Sequence, residues 1–172
     1  MFHSLAKTLS FRLWERDENL IDLASWFLAN VTEKFDESQI GNLGESEIVP
    51  HIVVKMLYSD NLKVYQNALT CIINLTDVRS SSSADLFVSY DQSFNEQSAQ
   101  LASAPALLQR LYSLIMTGMQ ESSSESYQTI VMVFSFLMNM LNSDDYNTKY
   151  LLSNDLLNYL VGVLQWNNPY SP

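Results

Sequence analysis

Residues 48–77 read IVPHIVVKMLYSDNLKVYQNALTCIINLTD, and two helical patterns lie in them back to back. In the second, VYQNALTCIINL, the residues Tyr65, Ala68, Ile72 and Leu75 recur at helical spacing and form one apolar stripe. The first is shorter and belongs to EIVPHIVVKMLYSD, with Pro50 near its opening turn. Proline suits a helix start, because the N–H it lacks would be unpaired there anyway. Strand-like alternation appears nowhere at length, so the unit is a helix pair and the fold class is all-α.

The long pattern recurs on either side. LIDLASWFLANV ends in Asn30-Val31, VYQNALTCIINL in Asn74-Leu75, and TIVMVFSFLMNM in Asn139-Met140. Ala24, Ala68 and Val133 stand six residues before each Asn, on stripes formed by Ile21, Ala24, Leu28 and Val31 in the first copy and by Ile130, Val133, Leu137 and Met140 in the third. These spacings predict long helices near 18–35, 61–76 and 124–142. A second leader, SAPALLQRLYSLIMTG, precedes the third copy, with Pro105 at its start. The stretch YNTKYLLSNDLLNYLVGVLQ begins a further unit, and MFHSLAKTLSF resembles a second helix whose leader is missing. Asn30 to Asn74 spans 44 residues and Asn74 to Asn139 spans 65, which locates an insertion at 77–97, a Ser-rich segment expected to be a surface loop. The expected single domain, 1–172, then divides into units near 1–37, 38–77 and 92–142 and a partial unit at 144–167. Tyr150, Tyr159 and Trp166 are expected to cover the far end.

Trp26 and Asn30 raise a separate question, since residues four apart share a helix face and this face is not the apolar stripe. A core face would reject Asn, and a solvent face rarely selects Trp.

Nine Lys and Arg against nineteen Asp and Glu give a formal charge of -10, which disfavours nucleic acid and anionic membrane and suits a basic partner. Cys71 is the single cysteine, so no intrachain disulfide forms and a reducing compartment is expected. The apolar run 130–141 is too short to span a bilayer, and the N-terminus shows no signal-peptide pattern. Asn30-Val31-Thr32 and Asn74-Leu75-Thr76 match the glycosylation pattern but fall within helices, and they are read as chance matches in an intracellular protein. His3 and His51 are far apart in sequence, none of the four Gly opens a phosphate loop, and Asp144-Asp145 lacks the alternating ligands of a calcium site. No enzyme activity, cofactor or metal is expected.

Residues 48–77 resemble one armadillo repeat of the importin-alpha type, and ASWFLANV is similar to that family's Trp-x-x-x-Asn signature. The period of roughly 40 to 47 residues agrees with armadillo or HEAT units. The resemblance implies a right-handed α-solenoid of about three repeats, whose long helices line a concave groove where Asn amides bond an extended peptide and Trp packs on lysine stems. Carried over, it makes Trp26 and Asn30 peptide-binding, with Thr70 and Ser135 at the Trp positions of later copies. Asn74 and Asn139 are the next rungs, and Glu33 and Asp77 place acid beside the groove. The expected partner is a basic peptide resembling a nuclear localisation signal, met in the cytoplasm or nucleus. The alternative is a scaffold subunit with a vestigial groove, and the exposed solenoid ends offer a route to self-association.

Overall fold

A computed structural model of the chain describes residues 17–36, 38–39, 53, 55–77, 84–85, 87–88, 107–121 and 123–166. Pro50, Pro105, His3 and His51 lie outside them, as do 1–16, the openings of the two leader segments and most of 77–97. All regular structure among the described residues is helical: α1 (Glu18–Glu33), α2 (Leu62–Thr76), α3 (Leu107–Glu121), α4 (Ser124–Ser143), α5 (Asp145–Ser153) and α6 (Leu156–Gln165). None of these helices is long and apolar enough to cross a membrane.

The three long patterns became α1, α2 and α4, with ends within two residues of expectation, and their starts have a local cause. Asp17, Asn61 and Ser123 each accept a hydrogen bond from a first-turn amide, at Leu20, Lys63 and Ser126. Asp144 does the same for α5, receiving the Asn147 N–H at 2.7 Å. Asp155, before α6, stands at φ 64°, the left-handed conformation that glycine most often fills at such turns.

α1 packs on α2, α2 on α4, and α4 also meets α3 and α5. The long helices therefore stand side by side in chain order, over one continuous core that runs from Ala24 to Leu156. Ala24, Leu28, Ala68, Ile72, Leu75 and the whole expected stripe of α4 are buried, whereas Ile21, Val31 and Tyr65 are only partly so. Gly118 lets α3 and α4 approach closely, since a Cβ there would sit 2.9 Å from Ile130 Cγ1. Arg110 of α3 reaches the end of the helical turn at 55–57, donating from Nε to Leu57 O at 2.7 Å and from Nη2 to Ser59 O at 3.3 Å.

Two expectations change. Residues 84, 85, 87 and 88, expected in a surface loop, are helical, and Ala84, Phe87 and Val88 are buried. Phe87 meets Phe136 edge-on at 5.6 Å, and Asp85 receives the buried Asn147 amide at 2.9 Å. Ala84, Phe87 and Val88 are three and then one apart, a short helical stripe inside an otherwise polar stretch. The far end is also less covered than expected. Tyr159 stacks on Tyr112 at 3.9 Å, but Leu157 and Val161 are exposed and Leu164 is 84% exposed.

Cys71 is fully buried, and this burial pushes its thiol from 9.0 up to about 12, opposed by a hydrogen bond with Thr32. A folded-state pKa above the unfolded one gives stability that is fully present below about pH 9 and lost as pH rises toward about 12. Urea midpoints should therefore fall over that window in the wild type and fall less in Cys71→Val. At neutral pH, a thiol reagent should label Cys71 only as fast as the protein opens, and rapid labelling of the native state would contradict this burial.

Candidate binding face of the long helices

Asn74 and Asn139 do the same job one helix apart. Asn74 Nδ2 donates to Ala29 O at 3.3 Å and to Thr32 Oγ1 at 3.2 Å, both on α1. Asn139 Nδ2 donates to Ile73 O at 3.2 Å and to Thr76 Oγ1 at 3.3 Å, both on α2. A carbonyl oxygen can only accept, so the amide orientation is decided by chemistry. Thr32 and Thr76 are buried and pass their own hydroxyl protons back to Leu28 O and Ile72 O, which leaves a lone pair facing each Asn. The nitrogens of both amides are thus committed to the neighbouring helix. No described residue donates a hydrogen bond to either amide oxygen.

Asn30 differs. It is exposed, and its Nδ2 donates at 2.7 Å to Trp26 O in its own helix. Trp26 is 55% exposed. Thr70 and Ser135, four residues before Asn74 and Asn139, are half-buried and donate to Gln66 O and Val131 O within their own helices. Glu33 and Asp77 are exposed at the ends of α1 and α2, with Glu33 paired to Lys34 at 3.2 Å. The matched struts place Trp26, Thr70 and Ser135 at one level of α1, α2 and α4.

Further polar bonds that the sequence reading missed keep this register. Asn67 Nδ2 donates to Ser25 Oγ at 3.0 Å, and Gln66 Nε2 to Thr129 Oγ1 at 3.0 Å. Burial raises the Tyr65 pKa above its ordinary value, and Thr129 on α4 opposes this rise. The one sequence signal for this set was Asn-x-Thr at both Asn30 and Asn74. In Asn74-Leu75-Thr76 the Asn amide is spent between helices and the Thr is buried.

Two hollows open beside the long helices. One, of about 370 Å³, lies between α1 and α2 and is lined by Trp26, Asp22, Leu23, Lys63, Gln66 and Asn67 among others. Asp22, also missed by the sequence reading, puts a carboxylate beside the indole. The other, of about 600 Å³, lies between α4 and α6 and is mostly apolar, with Val131, Phe134, Met138, Val163 and Trp166 in its walls.

Among the described residues no three His, Cys, Asp or Glu stand close enough to hold a metal ion. No protein-family model, curated protein or solved structure matches the chain.

Proposed function

We propose that the chain is a non-enzymatic binding module built as a short, right-handed armadillo-like solenoid, taking an extended basic peptide across α1, α2 and α4 in the manner of a nuclear-import adaptor. The observation that carries this reading is the repeated strut, which sets Trp26, Thr70 and Ser135 at one level on successive helices. An extended peptide has a main-chain N–H every second residue on one side, and the oxygens of Asn74 and Asn139 are free to accept from it. The hollow beside Trp26 suits a lysine or arginine, with the indole for the stem and Asp22 for the charge. Lys63 on the opposite wall narrows the preference toward a single basic side chain.

The test uses Trp26 as the only tryptophan, with Trp14→Phe and Trp166→Phe. Titration with an extended Lys/Arg peptide should change its fluorescence with a Kd of about micromolar or weaker, and affinity should fall as salt rises. Asp22→Asn should weaken binding several-fold without changing helicity. Fluorescence unaffected by the peptide would end the groove reading. The scaffold reading would then stand, favoured by amide nitrogens already spent between helices and by small hydroxyl residues at two of the three Trp positions.

A further inference from the structure

Each junction between long helices uses two opposite faces. One face sends an Asn amide outward, from Asn74 to α1 and from Asn139 to α2. The other receives it on the carbonyl one residue before its own Asn, Ala29 or Ile73. Among the described residues, α1 sends no such amide to another helix and α4 receives none. On α1 the sending face carries Asn30, with Leu23 (62% exposed) and Phe27 at the positions where α2 has Asn67 and Cys71. On α4 the receiving position is Met138, the counterpart of Ala29 and Ile73, and its side chain is 53% exposed beside the hollow of about 600 Å³.

We propose that these halves complete each other in a second copy: α1 of one molecule docks in the α4–α6 hollow of another, head to tail, with the Asn30 amide donated to the Met138 carbonyl. The contact continues, across two molecules, the interface that the chain makes twice within itself. Its side chains match in kind. Within the chain, Asn67 meets Ser25 as a polar pair; in the same register between copies, Leu23 meets Phe134 as an apolar pair. Val163 and Trp166 of α6 close the other wall of the hollow, and no charged side chain lines it. Leu141 replaces the threonine of the internal struts, so Asn30 gains one acceptor rather than two.

The sending and receiving faces are different surfaces, so the association is heterologous and extends past a dimer unless it closes into a ring. Each copy carries a formal charge of -10, and salt screens their repulsion. Self-association should therefore strengthen with salt, opposite to the basic peptide, with which it competes because Leu23 lines the peptide hollow and Ser135 and Asn139 line the α4–α6 hollow.

Sedimentation of the full chain tests this with two variants at exposed positions, Leu23→Glu on the sending face and Met138→Glu on the receiving face, both checked for wild-type helicity. The wild type should show masses beyond the dimer that grow with concentration and salt. Each variant alone should remain monomeric. Mixed one to one, they should give a species of twice the monomer mass and nothing larger, because one partner keeps an intact hollow and the other an intact α1. A wild type that stays monomeric at all salts, a single variant that still dimerises, or a mixture that remains monomeric would each overturn the proposal.

Discussion

Ala68→Asp and Leu137→Asp are expected to abolish the cooperative thermal transition of the protein. Each side chain is 1% exposed within the single core, Ala68 on α2 and Leu137 on α4. Among the described residues no cation is buried that could pair with a new carboxylate. A buried charge without a partner costs on the order of 3–5 kcal/mol, set against a total stability of about 5–15 kcal/mol for an ordinary domain. Leu137→Asp also removes apolar volume from a position in contact with the rest of the core, adding a cavity cost of similar size. The comparison is Val131→Asp on the same helix: its side chain is exposed, and its melting temperature should stay near that of the wild type. Circular dichroism melts of the three variants decide the matter, and equal losses at positions 131 and 137 would show that the face assignment of α4 is incorrect.

The three asparagines should separate in the same experiment. Asn74→Ala and Asn139→Ala each remove two hydrogen bonds between helices and leave a carbonyl and a threonine hydroxyl without that partner, at a cost of about 1–2 kcal/mol. Asn30→Ala removes only a bond within its own exposed turn and should cost under about 0.5 kcal/mol. A double-mutant cycle with Thr32→Val and Asn74→Ala isolates the strut, with a coupling of about 1 kcal/mol expected. Strictly additive losses would mean that Asn74 and Thr32 do not act on each other.

The helices were legible because their determinants are local. Asp17, Asn61 and Ser123 cap starts that the apolar stripes of α1, α2 and α4 already announced, and those stripes follow from 3.6 residues per turn. What joins the helices was less visible. Asn139 meets Ile73 across 66 residues of chain, and no periodicity links a donor to an acceptor at that distance. An Asn on such a helix reads equally well as a ligand contact or as a strut; its acceptors decide, and they are spatial neighbours only. The Asn-x-Thr recurrence was present in the sequence, but it matched a modification pattern before it matched a packing one. The buried turn around Phe87 escaped for another reason. Its stripe spans only Ala84 to Val88, too short for a helical period to stand out beside a Ser tract. At the far end, aromatic content alone suggested cover, whereas Tyr159 is turned toward Tyr112 and leaves Leu164 bare.

The grip of Arg110 on Leu57 O and Ser59 O bears on how this chain can vary over evolutionary time. It ties α3 to the end of an earlier helical turn through space, and with the packing on α4 it anchors α3 by contacts outside the intervening chain. Lengthening a connection between two anchored points costs only about 0.6 kcal/mol per doubling. A lineage can therefore gain or shed residues between α2 and α3, outside the buried turn at Phe87, while the guanidinium keeps the two halves in step. A change at Arg110 itself would remove one of these anchors and leave α3 held by its packing on α4 and its buried Leu107, Leu111 and Ile115.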